Sequence, residues 1–191
     1  MRKLSIFLVF FLVFTITINA QWTSLSSGLT AVDSNNLISV YFTDANTGYA
    51  VGKAGTILKT TNGGTNWAVL TSGITDELDA VYFTDANTGY AVGTVILKTT
   101  DGGANWTNVY TSPYQYAIRS ICFVNATTGY VVGMGMMGGT ILKTTDGGIN
   151  WTNQTSGTNS QLSSVYFTDA STGYTVGTDG TILKTTNGGA T

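Results

Sequence analysis

The residues of this chain with the most regular chemical pattern are a threonine, an asparagine or aspartate, a glycine and a tryptophan at fixed spacing. They stand at Thr60, Asn62, Gly64 and Trp67, at Thr99, Asp101, Gly103 and Trp106, and at Thr144, Asp146, Gly148 and Trp151. A further copy begins at Thr185 and runs to Thr191, one residue before its tryptophan is due. An acidic or amide side chain repeated in this way can do acid–base work, hold a cation, or accept amide hydrogen bonds in a turn. Histidine is absent, which removes the most frequent general base and the most frequent metal ligand. A glycosidase needs two facing carboxylates, one with a raised pKa, and no such pair is marked. Asp44, Asp85 and Asp169 stand singly in short segments, with Asn125 at the equivalent place in the third copy. Calcium takes six to eight oxygens, so these read as turn formers. Asp76, Glu77 and Asp79 are denser and read as a solvated loop or a weak cation site. Cys122, the single cysteine, replaces the tyrosine of Tyr41, Tyr82 and Tyr166; it reads as a core residue rather than a reactive thiol. The expectation is no catalytic residue, no metal and no cofactor.

Turn chemistry is the reading that the surrounding elements support. The asparagine or aspartate is expected to accept amides two residues on, the Gly-Gly pair to take left-handed angles, and the threonine hydroxyl to add a bond. The tryptophan then opens the next strand as an apolar plug. Tyr49, Tyr90, Tyr130 and Tyr174 recur, as do Lys59, Lys98, Lys143 and Lys184, at a period of about 40 residues that indicates propeller blades. Each copy holds four short apolar runs, in the first at 37–43, 48–52, 56–61 and 67–72. The fold expected is all-β: a β-propeller of four-stranded antiparallel blades, with units at 37–77, 78–117, 118–161 and 162–191. Residues 21–36 supply a preceding strand around Trp22. Either Trp22 closes a four-blade ring, or the chain is part of a larger propeller; the second is expected, because a stable chain has no reason to end inside a hairpin turn.

Composition narrows the setting. Charged residues are 9% and aromatics 12% of 191 residues, the reverse of a disordered profile. Arg2 and Lys3 precede an apolar run that closes on Ile18-Asn19-Ala20. This predicts a secretory signal peptide over 1–20 with cleavage before Gln21, the alternative being an uncleaved anchor. A secreted, periplasmic or cell-surface bacterial protein with no membrane span after cleavage is expected. Two of the 8 basic residues lie in that leader, so the rest is more acidic than the formal net charge of −2, and no nucleic-acid footprint remains.

Loop length carries the internal functional signal. The turn between the first two strands is constant, and so is the Gly-Gly turn wherever it is complete. The connection between the second and third strands varies from one residue at Thr94 to six at Met134 to Gly139. It shares a rim with the connections between copies, and variable loops on a rigid scaffold are where binding resides. The third copy is the most individual: Tyr114, Tyr116 and Arg119 should converge with Met134, Met136 and Met137. Such a set either forms a protein contact surface or fills a wide gap between blades. The repeated lysines are expected to pack their stems and expose their ammonium groups between blades. Asn105-Trp106-Thr107, Asn125-Ala126-Thr127 and Asn150-Trp151-Thr152 match glycosylation sequons, but two fall within the repeat and say little.

The Thr-x-Asn/Asp-x-Gly-x-x-Trp motif resembles the Asp-box of bacterial neuraminidase repeats. The wider frame is Thr-Gly-Tyr-Ala-Val-Gly followed by Gly-Thr-Ile-Leu-Lys-Thr-Thr-Asn-Gly-Gly. It resembles the photosystem II assembly and stability factor family, particularly its secreted bacterial relatives, over residues 37–191. That resemblance implies a propeller, of seven blades in the photosynthetic members, whose function is to bind partner proteins. Those members carry an arginine-rich patch, whereas this chain after its leader has Arg119 alone. The Asp-box also resembles sialidases and some propeller glucanases, implying as an alternative a carbohydrate-active or glycan-binding propeller whose catalytic residues lie outside this chain. Sialidases use three arginines and a tyrosine nucleophile, a set this chain does not supply.

Overall fold

Runs of β-branched and aromatic residues bounded by Asp/Asn-Gly turns build short antiparallel strands. A computed structural model describes residues 21–29, 36–113, 116–136 and 138–189; the expected leader, with Tyr114 and Met137, lies outside them. Blade 1 consists of β1 (Leu37–Phe42), β2 (Gly48–Gly52), β3 (Ile57–Thr60) and β4 (Ala68–Leu70), hydrogen-bonded in that order. Blade 2 consists of β5 (Leu78–Phe83), β6 (Gly89–Gly93), β7 (Val95–Thr99) and β8 (Thr107–Thr111). Blade 3 has β9 (Ile118–Phe123), β10 (Gly129–Gly135), β11 (Gly138–Thr144) and β12 (Thr152–Gln154). Blade 4 has β13 (Leu162–Phe167), β14 (Gly173–Gly177) and β15 (Ile182–Thr185). The first strands β1, β5, β9 and β13 lie against one another in succession and form the inner wall.

Each blade is pleated around one aromatic–glycine pair. Phe42 faces Gly48 across the β1–β2 ladder, and Phe83, Phe123 and Phe167 face Gly89, Gly129 and Gly173 in the same way. The phenyl ring lies over the glycine so closely that a Cβ there would fall 2.5–2.8 Å from it. This is why the repeat keeps glycine before its tyrosine. The second strands are buried along their length in blades 1 and 2; in blade 2, blades 1 and 3 cover both faces of the sheet.

Successive blades are joined by one repeated set of contacts. Tyr49 stacks on Phe83 of the next blade at 4.0 Å, Tyr90 on Phe123 at 4.5 Å, and Tyr130 on Phe167 at 4.0 Å. The hydroxyl of Tyr49 donates to the Gly102 carbonyl at 2.8 Å, and Lys59 Nζ donates to the same oxygen at 2.7 Å. Tyr90 and Lys98 meet the Gly147 carbonyl, and Tyr130 and Lys143 the Gly188 carbonyl, in the same arrangement. On the inner wall Tyr41 and Tyr82 donate to the Phe83 and Phe123 carbonyls. The expectation that the lysines expose their ammonium groups is therefore corrected for these three. A half-buried carbonyl of the following blade desolvates less badly with a charged donor on it, and each ammonium also lies 5.4–5.8 Å from its tyrosine ring. Tyr90, pushed up to about 12 by burial and by Asp85 and Asp146, remains a donor throughout the neutral range.

Residues 21–29 form no strand among the described residues, correcting the strand expected around Trp22. The reason is geometric: a fourth strand needs a third strand to pair with, and the described residues hold no blade before blade 1.

Candidate functional site

The two rims differ in how completely their polar groups are used. On the constant rim each Gly-Gly turn is closed internally. Thr60, Thr99 and Thr144 are buried, and their hydroxyls accept the N–H of Gly64, Gly103 and Gly148 at 3.0, 2.9 and 2.8 Å. The side-chain oxygens of Asn62, Asp101 and Asp146 accept the N–H of Asn66, Asn105 and Asn150 at 2.9 Å. The acceptance is thus four residues on, not two as the turn type suggested, because the left-handed glycine pair (φ 65° and 86° at Gly63 and Gly64) curls the chain back over the side chain. Trp67, Trp106 and Trp151 set their edges against Phe42, Phe83 and Phe123 at 6.1–6.2 Å. The buried indole N–H of Trp106 and of Trp151 has no acceptor among the described residues, so these two rings act as apolar plugs. The neighbouring turns use Asp44, Asp85, Asn125 and Asp169 to accept two amides each, as their isolation in the sequence suggested.

These hydrogen bonds give the constant rim an acid sensitivity. The bonds from Asn105 and Asn150, with the threonine hydroxyls, hold Asp101 and Asp146 down from 3.8 to about 2. A carboxylate whose folded pKa is depressed stabilises the fold above its unfolded pKa and loses that contribution as pH falls through the folded value. Melting temperature is expected to decline between about pH 4 and pH 2. Asp101→Asn with Asp146→Asn should remove part of the decline, since Asn62 builds the same turn with a neutral amide. An unchanged acid profile in the double variant, followed by circular dichroism, would count against this account.

On the variable rim the two loop classes meet in each blade. The N–H of Lys53 donates to the Asn36 carbonyl, that of Met134 to Ala117, and that of Thr178 to Gln161, at 2.9–3.0 Å; in blade 2, Thr94 Oγ1 donates to Asp76 at 3.1 Å. Tyr116 and Met134 are half-buried, while Arg119 and Met136 are exposed. The structure thus brings Ala117, between Tyr116 and Arg119, against Met134. The six-residue loop expected from Met134 to Gly139 is corrected: β10 and β11 continue as a hairpin through Met134–Gly139 and Gly135–Gly138 pairs. Glycines at both flanks let the strands run on past Met134, and Met136 beyond them is exposed.

Arg119 has a partner that sequence reasoning missed. Its guanidinium lies 3.5 Å from the Asp79 carboxylate on β5. Asp79 was grouped with Asp76 and Glu77 as loop, but it follows Leu78 as Arg119 follows Ile118, and that repeat position could have revealed the pair. Burial pushes the Asp79 carboxyl up, and Arg119 draws it partly back. Ile38 and Ser163 occupy the same place in β1 and β13. The inner wall is therefore apolar, acidic, basic and hydroxylic in turn at one level, next to a methionine hairpin. Such a surface suits an extended polypeptide: the guanidinium takes a carbonyl or carboxylate, and the methionine takes an apolar side chain. Among the described residues no cluster of three metal-ligating side chains occurs, and no helix is long and apolar enough to cross a membrane.

Comparison with known proteins follows the repeat. The model of the family described as Photosynthesis system II assembly factor YCF48 matches residues 15–114 and 108–191. Among solved structures, YCF48 bound to D1 peptide is 23% identical with a TM-score of 0.61, covering 78% of this chain and 49% of that one. YCF48 from Cyanidioschyzon merolae is 17% identical with a TM-score of 0.63, covering 80% and 51%. A GH74 enzyme from Niastella koreensis is 18% identical with a TM-score of 0.59, covering 78% and 30%. This chain thus spans about half the length of the two YCF48 chains, and at these identities the likeness shows the fold. No curated protein matches the chain.

Proposed function

We propose, since the chain belongs to the Photosynthesis system II assembly factor YCF48 family, that it is an exported, non-catalytic β-propeller that holds another protein on the variable rim of its third blade. One observation carries this reading. The repeated side chains of blades 1 to 3 are consumed by turns and blade contacts, whereas Tyr116, Arg119, Met134 and Met136 belong to one blade and lie on the rim that varies. A solved relative holds a peptide, which makes a polypeptide segment the natural class of partner. The charged start and apolar run of residues 1–20 support export to the periplasm, the cell surface or the medium.

Substitution of Arg119 and Met136 by alanine is expected to weaken partner capture by at least about tenfold, the equivalent of one modest interface contact. Melting temperature should fall only slightly, because Met136 is exposed and Arg119 gives up a single 3.5 Å contact with Asp79. The measurement is a pull-down by the intact protein from the envelope of its own host. Recovery of no partner, with strong hits on a glycan array, would overturn the reading.

A carbohydrate-active propeller is the second reading. It is favoured by the raised Asp79 carboxyl, of the kind a general acid needs, and by the likeness in fold to GH74 enzymes. Hydrolysis of xyloglucan or a fluorogenic sialoside, abolished in Asp79→Asn, would establish it.

A further inference from the structure

Each inner strand carries one residue that its ladder leaves out. The pairing of β1 with β2 skips from Leu37 to Ser39, that of β5 with β6 from Leu78 to Ala80, and that of β13 with β14 from Leu162 to Ser164. In β9 it skips from Ile118 to Ser120. These are β-bulges, and the residues left out are Ile38, Asp79, Arg119 and Ser163. A bulge re-aims the side chain of its extra residue, and bulges gather beside functional sites. The backbone device is thus the same in every blade, while the side chain it presents differs from one blade to the next. Its surroundings are fixed. Leu78 and Ile118 are buried, and the hydroxyls of Ser39 and Ser120 accept the N–H of Val81 and Val165 on the following inner strand at 3.3 and 3.2 Å.

Asp79 and Arg119 meet across two of these bulges, in blades that each have a blade on either side. The Asp79 side chain is 9% exposed and that of Arg119 44%. Their contact is long at 3.5 Å, and it joins one guanidinium nitrogen to one carboxylate oxygen. A bidentate arginine–carboxylate pair makes two parallel bonds of about 2.7–2.9 Å. Here the second oxygen of Asp79 accepts nothing among the described residues, and Arg119 offers there only one of its five N–H groups. A buried carboxylate with an idle oxygen is an acceptor waiting for a donor.

A singly charged ligand suits this pair poorly. A carboxylate on Arg119 draws the guanidinium off Asp79 and leaves a buried charge unpaired, which is costly; Glu77 adds its own negative charge to the same place. An ammonium on Asp79 meets the charge of Arg119. A carboxamide avoids both penalties: its oxygen takes an Arg119 N–H, its nitrogen donates to the idle oxygen of Asp79, and the ion pair stays in place. By covalent geometry its donor and acceptor atoms are about 2.3 Å apart, which suits two roughly parallel bonds to groups 3.5 Å apart. We propose that Asp79 and Arg119 are a specificity-determining pair that takes the side-chain carboxamide of a Gln or Asn in an extended polypeptide partner. This selection presupposes that the variable rim holds a polypeptide, the function proposed above. The burial of Asp79 favours a side chain over the partner's main chain, since a side chain enters a recess that a strand passes over.

The test is selection of random nonapeptides displayed on phage against the intact protein, followed by fluorescence anisotropy on the synthetic peptides. The expected result is Gln or Asn at one aligned position. Changing that residue to Glu, Lys or Leu should weaken binding at least about tenfold in each case. Asp79→Leu with Arg119→Leu should abolish the preference for Gln over Leu. The peptide changes are read on the unaltered protein, so they decide the matter even if the double variant does not fold. An acid or a base at the aligned position, an affinity indifferent to that side chain, or a carboxamide preference that survives the double variant overturns the pairing. Peptides that Met136→Ala weakens but that ignore Asp79 and Arg119 overturn the pairing and leave the proposed function standing. Selection of no peptide overturns both.

Discussion

Replacing Phe123 by alanine is expected to cost about 3–5 kcal/mol, the usual range for deleting a packed aromatic side chain. Phe123 is 7% exposed. It stacks on Tyr90 at 4.5 Å, approaches Tyr82 at 5.9 Å and takes the edge of Trp151 at 6.2 Å. Its ring also covers Gly129, so no neighbour can collapse into the space it leaves. The loss falls on two levels, the core of blade 3 and its junction with blade 2. Denaturant unfolding should show a lower midpoint with an unchanged slope. A loss below about 1 kcal/mol would mean that the blades stack without needing the shared aromatic column.

The Tyr90–Lys98 pair gives the second large effect. Both donate to one buried-side oxygen, the Gly147 carbonyl, at 2.7 Å. Either donor alone leaves that carbonyl partnered, so Tyr90→Phe and Lys98→Met should each cost about 1 kcal/mol. The double variant strands the acceptor and is expected to cost about 3 kcal/mol, more than the sum of the single changes. A double-mutant cycle in denaturant measures the excess, and strict additivity would dismiss the idea of a shared acceptor. The same substitutions at Tyr174 and Lys184 should leave stability unmoved, since no acceptor faces them among the described residues.

Much of this was legible before any coordinates. The Gly-Gly turn, the glycine before each tyrosine and the four runs per copy are local rules: each depends on neighbours a few residues away, and the repeat states them again and again. The observed strands of blade 1 accordingly fall within the segments expected. Errors arose where a partner comes from far along the chain. Lys59 looked like an exposed cation because its acceptor, Gly102, belongs to the next blade. Asp79 looked like part of an acidic loop because Arg119 is one full repeat away. The hairpin through Met134 and Gly139 looked like a loop because two glycine-flanked strands and a glycine-rich loop share one composition.

The sequence by itself determined the blade. Period, turn chemistry and the alternation of aromatic and glycine act over a few residues, and they leave one local solution. Tertiary structure decided how the repeated side chains are spent, since a hydroxyl, an ammonium and an indole acquire a role only when the next blade brings its carbonyl and its phenyl ring. It also decided which residues remain unspent, those on the rim of blade 3. Those are properties of what stands opposite a side chain, and no spacing along the chain encodes that.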